Sequence, residues 1–304
     1  MGTVYNVTIN EPSLSQDELS LAKEKVELCL QRVNKKMNPF DPQSEISKFN
    51  DYHSIKPFSI SNEFYNLTKI AKEIHQESDG AFDPTIAPLI NYYGFGTTGD
   101  EPKSISKSKI DSIKQFVGFD KIIIEKQKLI KSNSNLKLDL SAIAKGYGVD
   151  KVAQMLITGG YKNFIVEIGG EVFASGRKNN KKWKLGIDVP KTNNMPGEKL
   201  QSILQVENKG VATSGDYRNF YTKNGKRISH LINPKTGKPI SHNLASVTIV
   251  AENCTYADAI ATASIILGEK KGFKFVENIP NVEGYFIFRN EEEFFVKETS
   301  GFRK

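Results

Sequence analysis

The chain has 304 residues, 38% hydrophobic and 25% charged, with a mean hydropathy of −0.42. This is a globular composition, long enough for one large domain or two ordinary ones, and no run of 18 apolar residues is present that would cross a bilayer as a helix. The 42 Lys and Arg against 35 Asp and Glu give a net charge of +7, but the lysines are dispersed and no basic cluster is interleaved with aromatics, so a solvated lysine-rich surface is expected and a nucleic-acid partner is not.

In chain order, Met1-Gly2-Thr3-Val4-Tyr5 runs straight into an alternating strand over 4–9, with no basic n-region or apolar h-region. Leu19, Ala22, Val26, Leu30 and Val33 predict an amphipathic helix over 14–36, broken by Met37-Asn38-Pro39-Phe40-Asp41-Pro42. Residues 44–50 read as a short helical turn. A second long helix, 62–78, takes Ser61 or Asn62 as its cap and stops at Asp79-Gly80. In Gly80-Ala81-Phe82-Asp83-Pro84-Thr85 a carboxylate is held between an aromatic and a proline that forces it into an extended conformation. That segment is either a plain helix-to-loop connection or part of a site. Residues 94–109 read as an exposed loop, and 122–125 and 137–140 as strands.

The stretch Leu138–Asp150, LDLSAIAKGYGVD, reads as a strand ending at Asp139, a turn through small residues, and a helix entered behind Lys145, Gly146 and Gly148. Val149, Val152, Ala153 and Leu156 give that helix its buried stripe, and Gly159-Gly160 ends it. Free backbone N–H groups, a positive dipole end and a lysine would then converge on one point, which suits an anion such as phosphate. Strands follow over 164–168, 183–188 and 202–206, the first ending at Gly169-Gly170 and the last two separated by a polar loop near 193–197.

Residues 210–237 are the densest in chemistry. Thr213-Ser214-Gly215-Asp216 packs two hydroxyls, a glycine and a carboxylate together as an oxygen-binding loop would, with Arg218, His230 and Lys235 in the same stretch and Asn224-Gly225 as a hairpin turn. A Ser214, His230, Asp216 hydrolase triad is disfavoured, because Ser214 lacks the G-x-S-x-G elbow. Residues 245–250 form a buried strand, and a helix over 256–267 sets Asp258 and Thr262 one turn apart on one face. An acid in an Ala-rich buried helix needs a partner, so Asp258 either caps the helix start or binds a hard cation with Thr262. Cys29 and Cys254 form no CxxC or CxxH pattern and read as free thiols. Strand and helix alternation with antiparallel-looking hairpins predicts an α+β, mixed α/β fold in which mixed sheets are flanked by helices. No linker divides the chain, so 1–304 reads as one domain, with room for two closely packed subdomains.

Taken together, these segments resemble the ApbE family of FAD:protein FMN transferases. The resemblance rests on Met1-Gly2-Thr3; Met37 with Asp41-Pro42, Ser44-Glu45-Ile46 and Phe49-Asn50; Gly80 to Thr85 with Pro88-Leu89; and Leu138-Asp139-Leu140 with Ala144-Lys145-Gly146-Tyr147 and Asp150. It continues through Ile168-Gly169-Gly170-Glu171, Ala212 to Tyr217, Ser229 to Pro234 with Thr236-Gly237 and Pro239, and Ala257-Asp258-Ala259 with Ala261-Thr262-Ala263. It implies an ApbE-like fold and a Mg²⁺-dependent enzyme that splits FAD, its substrate, and joins FMN through a phosphoester to a Thr or Ser of an acceptor flavoprotein, such as a respiratory redox complex subunit, releasing AMP.

Carried over by position, the resemblance puts magnesium ligands at Ala142, Asp258 and Thr262. It puts FAD contacts at Met1, Met37, Ala81, Phe82, Asp83, Asp139, Lys145 and Ile232, with Thr213, Ser214 and Gly215 around the pyrophosphate. His230, Asp216 and Lys145 become the candidate catalytic groups, with His230 and Asp216 both open as the proton acceptor. Two positions depart from the family pattern: Asn233 where Asp is usual, and Asn38-Pro39-Phe40 where Ser-Thr-Tyr is usual. Rival readings are a FAD pyrophosphatase that uses water, and a passive flavin carrier. The resemblance also implies an exported, periplasmic lipoprotein whose leader and lipid anchor lie outside this sequence, a cytoplasmic member being the alternative.

Overall fold

The computed structural model describes the chain except residues 1, 13, 98–103, 193, 291–292 and 303–304. At its centre is a seven-stranded sheet in the order Tyr5–Ile9, Phe164–Ile168, Glu171–Ser175, Lys209–Gly215, Leu244–Ala251, Glu283–Arg289 and Phe294–Glu298, antiparallel at every pairing. Leu244–Ala251 is buried at all but one position, which is the pattern of a strand covered on both faces. Tyr5–Ile9 at the edge alternates between half-buried and exposed.

The two faces are covered differently. Helices Ser141–Thr158 and Cys254–Glu277 pack on one, through Val149, Val152 and Leu156 against Phe164 and Val166, and through Ile260 and Ile265 against Val247 and Ile249. On the other face lies the hairpin Trp183–Asp188 with Leu200–Val206, whose Trp183 and Val206 meet Ala174 and Val211. A further layer joins helices Gln16–Met37, Glu45–Asp51 and Asn62–Glu77 to a small sheet ordered Phe58–Ser59, Lys128–Lys131, Ile122–Glu125, around Phe49, Phe64, Leu67 and Phe119. The α+β class, with several sheets flanked by helices, is therefore observed. Among the described residues no helix is long and apolar enough to cross a membrane.

Three segments differ from the sequence reading. Residues 137–140 join no sheet; the Asn50 side chain takes the place of a neighbouring strand, accepting from Leu138 N–H at 2.7 Å and donating to Leu138 C=O at 2.8 Å. The next helix starts at Ser141, so Lys145, Gly146 and Gly148 lie inside it and not before it. Thr213, Ser214 and Gly215 end a strand instead of forming a loop. The helix that begins at Cys254 breaks at the non-helical Gly268 (φ 77°), in agreement with the expected end near 267, and a further helical stretch continues from there to Glu277. Strands Glu171–Ser175, Glu283–Arg289 and Phe294–Glu298 had no counterpart in the sequence reading.

The two long helices approach unusually closely at Gly146. A Cβ there would lie 2.2 Å from the Cys254 carbonyl oxygen and 2.9 Å from Asp258 Cβ. One turn on, Asp150 accepts from the backbone N–H groups of Cys254 (2.8 Å) and Thr255 (2.7 Å) and from the Thr255 hydroxyl, while Asn253 caps Tyr256 N–H at 3.0 Å. A carboxylate of one helix thus satisfies the free donors at the start of the other.

Gly146→Ala is expected to lower stability by about 1–3 kcal/mol through overpacking, despite the ~1 kcal/mol that alanine gains over glycine inside a helix. A urea unfolding midpoint at or above that of the unchanged chain would show that the close approach is not required.

Candidate active site

A cavity of about 1320 Å³ lies at the end of the sheet where the two helices, the 80–85 turn and the 183–206 hairpin meet. This exceeds the ~300–1,000 Å³ typical of small-ligand pockets, so it suits a dinucleotide-sized molecule. Of the residues singled out in sequence, Ala81, Phe82, Asp83, Asp139, Ala142, Lys145, Thr213, Ser214, Gly215, His230, Ile232, Asp258 and Thr262 all line it. They come from segments up to 181 positions apart, and the sheet order is what gathers them.

The charged centre is a cluster of three. Lys145 Nζ lies 2.5 Å from Glu171 Oε1 and 3.9 Å from Asp258 Oδ1. Asp258 Oδ2 accepts Gly146 N–H at 2.9 Å. Ala142, one turn before Gly146 on the same helix, lines the cavity beside this group. Two buried carboxylates share one ammonium, which leaves the cluster short of positive charge. The pKa directions follow. Burial pushes the Asp258 carboxyl up against the pull of Lys145 and Gly146 N–H. Burial and the Asp258 charge push Glu171 up to about 8, although Lys145 lowers it. Burial disfavours the Lys145 ammonium, but Asp258 and Glu171 outweigh it and hold its pKa above the usual lysine range. Among the described residues Glu171 Oε2 is buried without a hydrogen-bond partner.

Hydroxyls complete this wall. Ser214 Oγ lies 3.0 Å from Thr262 Oγ1, and Thr213 Oγ1 lies 2.8 Å from Thr248 Oγ1. Asp258 carboxylate, Thr262 hydroxyl and Ala142 carbonyl are hard oxygen donors of the kind Mg²⁺ prefers, and together with the charge deficit and the orphaned Glu171 oxygen they fit a divalent cation. Among the described residues no cluster of three His, Cys, Asp or Glu gathers as a metal site, so a cation here would rely on neutral oxygens and on its ligand's phosphates for most of its shell.

His230 is half-buried and lines the cavity. Its Nδ1 is 2.9 Å from the Asn219 carbonyl, which can only accept, so Nδ1 carries the proton and Nε2 of the neutral ring holds the lone pair. Burial lowers its pKa, with Asn219 C=O and Asp216 opposing, so the neutral form prevails at pH 7. Asp216 stands apart from this task. It is buried, absent from the cavity wall, and gripped by the Arg289 fork at 2.7 and 2.5 Å, with Arg227 at 3.6 Å. Asp83 faces the cavity, but its oxygens accept from Thr85 N–H (2.8 Å), Thr85 Oγ1 (2.5 Å) and Phe119 N–H (3.2 Å), so it also ties the 80–85 turn together. Asp139 lines the cavity and accepts Ser141 N–H at 2.8 Å. Met37 is buried in the helical layer and does not line the cavity; Met1 lies outside the described residues. The Cys254 thiol is buried and the Cys29 thiol half-buried, both free.

Glu171 has the strongest claim among residues to which sequence reasoning gave no role. The available signal was an acid directly after Gly169-Gly170 at a strand end, where backbone approaches closely. Thr248, Arg289 and Asp150 gave no comparable signal, since each acquires its meaning only from a partner distant in the chain.

The profile of the ApbE family matches residues 1–286. A FAD:protein FMN transferase of Haemophilus influenzae is 36% identical, over 100% of this chain and 89% of its own length. The flavin transferase ApbE from Vibrio cholerae superposes with a TM-score of 0.88 at 31% identity, covering 100% of this chain and 96% of that one. The flavinyl transferase ApbE of Pseudomonas stutzeri, in its apo form, gives a TM-score of 0.87 at 31% identity over 99% and 92% of the two chains.

The raised pKa of Glu171 has a consequence for stability. Its folded value of about 8 lies above the unfolded 4.5, so the neutral carboxyl stabilises the fold at low pH and that contribution is lost as pH rises from 4.5 through about 8. Without divalent cations, the fall in melting temperature between pH 5 and pH 8 should be smaller in Glu171→Gln than in the unchanged chain. Equal falls in the two proteins, measured by calorimetry, would refute this assignment.

Proposed function

Because this chain belongs to the ApbE family, we propose that it is a FAD:protein FMN transferase acting from the cavity described above. The observation that carries the reading is the convergence of Lys145, Glu171, Asp258 and the Ser214 and Thr262 hydroxyls on a dinucleotide-sized cavity. In this reaction an acceptor Thr or Ser oxygen attacks the FMN-side phosphorus of FAD. The bond from that phosphorus to the bridging oxygen breaks, AMP departs, and FMN remains joined to the acceptor through a phosphoester.

The protein supplies positioning and charge. His230 Nε2 takes the proton of the incoming hydroxyl, because its ring is neutral and its orientation is fixed by Asn219. Asp216, both oxygens engaged by arginine, holds Arg289 and Arg227 and biases His230 electrostatically from behind. Lys145 brings a permanent positive charge to the phosphates, where negative charge shifts toward the bridging oxygen as the bond breaks. Mg²⁺ held by Asp258, Thr262 and Ala142 would supply further neutralisation of the pyrophosphate. Phe82 and Ile232, apolar and on the wall, suit the isoalloxazine ring, and Ser214 and Thr213 offer hydroxyl donors to phosphate oxygens. An extracytoplasmic, lipid-anchored location is supported by the family likeness alone, and fractionation of cells producing the full-length protein tests it.

Incubation with FAD, Mg²⁺ and purified redox-complex subunits of the same organism, followed by intact-mass analysis, should give one subunit an FMN-sized gain. Free FMN and AMP alone would mean a pyrophosphatase, and intact FAD a carrier. Asp258→Ala should abolish Mg²⁺-dependent turnover; activity unchanged in excess Mg²⁺ would sink the metal assignment. His230→Ala should slow transfer by about 10²–10⁴-fold. Since the base form of His230 is lost as pH falls through its lowered pKa, the acid limb of transfer should lie below the ordinary histidine value of 6.5 and vanish in that variant.

A further inference from the structure

The hairpin that walls the cavity on the far side of the sheet has an outer surface that the chemistry above does not use. Between residues 177 and 206 there are seven Lys and Arg against two Asp and Glu. Both acids are engaged: Asp188 by Arg218 at 2.6 Å and Gly197 N–H at 2.9 Å, and Glu198 by Met195 N–H at 3.0 Å. Among the described residues the exposed ammonium groups of Lys181, Lys191 and Lys199 have no ion-pair partner within 4 Å. Lys191 and Lys199 sit together at the hairpin tip, where Val189 N–H bonds Lys199 C=O at 3.0 Å.

Exposed apolar side chains occupy the same tip and the strand that leaves it. Met195 is 72% exposed, Ile203 59% and Leu200 43%. The tip that presents them is internally braced, since Asn194 Nδ2 donates to both Val189 C=O (3.1 Å) and Lys199 C=O (3.0 Å). Pro196, Gly197 and Leu200 of the same tip line the cavity, so the exposed apolar patch is continuous with the cavity mouth. Exposed apolar groups within a charged rim are the anatomy of a protein-docking surface, and unpaired lysines set the sign of what docks.

We propose that this hairpin, Lys191, Met195 and Lys199 at its tip and Leu200 and Ile203 on the adjoining strand, docks an acidic segment of the acceptor protein and thereby delivers its hydroxyl to the cavity. The proposal rests on the transferase reading. It accounts for the position of the patch: an acceptor must reach the phosphorus from outside, and the patch borders the opening through which it would reach. It also explains why these lysines are left without internal carboxylate partners.

The test uses the full chain and the redox-complex subunit that the unchanged enzyme labels. The double variant Lys191→Glu/Lys199→Glu, and separately Ile203→Asp, should raise KM for that subunit roughly tenfold or more, while FAD affinity, read by flavin fluorescence quenching, stays within about twofold. Added salt should raise the acceptor KM of the unchanged enzyme and have less effect on the double variant. Unchanged acceptor KM in both variants overturns the proposal. So does a matching loss of FAD affinity, which would assign the lysines to the nucleotide. Loss of binding to anionic phosphatidylglycerol vesicles with unchanged acceptor KM would assign the face to a membrane instead. If the unchanged enzyme labels no subunit while FAD still binds, the transferase reading falls and the docking surface with it; labelling with unaltered KM removes the docking surface alone.

Discussion

The contact on which the site depends is the backbone-to-carboxylate seam between the Ser141–Thr158 and Cys254–Glu277 helices. Asp150 accepts the first N–H groups of the second helix, and Asp258 accepts Gly146 N–H of the first. These bonds fix the axial register of the helices, not merely their separation, because each ties a side chain to a specific backbone group. Hydrophobic packing alone would tolerate a slide of one residue along the interface. The seam does not, and so Lys145 arrives beside Asp258 and Thr262 faces Ser214. The missing side chain at Gly146 is part of the same constraint, since any Cβ would drive the helices apart.

The cluster so assembled is electrostatically incomplete. Two buried carboxylates with one lysine is an arrangement that folding by itself would select against, because each unpaired charge costs desolvation that a single ammonium cannot return. The cost is visible in Glu171, pushed up to about 8, and in its orphaned oxygen. By contrast Asp216, equally buried, is matched by two arginines. The difference separates a carboxylate that organises structure from carboxylates left waiting for a ligand, and it is a physical criterion independent of any family likeness.

Much of the fold was legible in sequence where one local rule governed. The helix over 62–77 follows from Ser61 and its apolar period, and the Asn224-Gly225 hairpin follows from two residues that adopt positive φ at little cost. The site residues were legible as types: an acid and a hydroxyl one turn apart, a lysine near glycines, a histidine at a strand end. What failed was local context. Leu136 to Leu140 has the alternation of a strand, but its hydrogen bonds go to the Asn50 side chain and to Pro84, which no period reveals. The glycines near Lys145 suggested a phosphate turn, whereas both lie inside the helix and Gly146 serves helix contact; a Gly inside a helix and a Gly before one look alike in one dimension. Glu171 went without a role because its partners are 26 and 87 positions away.

The position of the first strand governs how the molecule can be made. Tyr5–Ile9 pairs only with Phe164–Ile168, so its partner is synthesised about 155 residues later, and at about 5–20 residues per second the strand waits on the order of 10–30 s in the nascent chain. The charged cluster is also completed late, because Asp258 follows Gly146 by 112 residues. Such high contact order makes this a slow folder whose early segments are exposed as an unpaired edge during translation. The alternating, half-polar character of that strand then acts as protection: with Asn6 and Thr8 on one side, the waiting edge offers neighbours little apolar surface on which to aggregate.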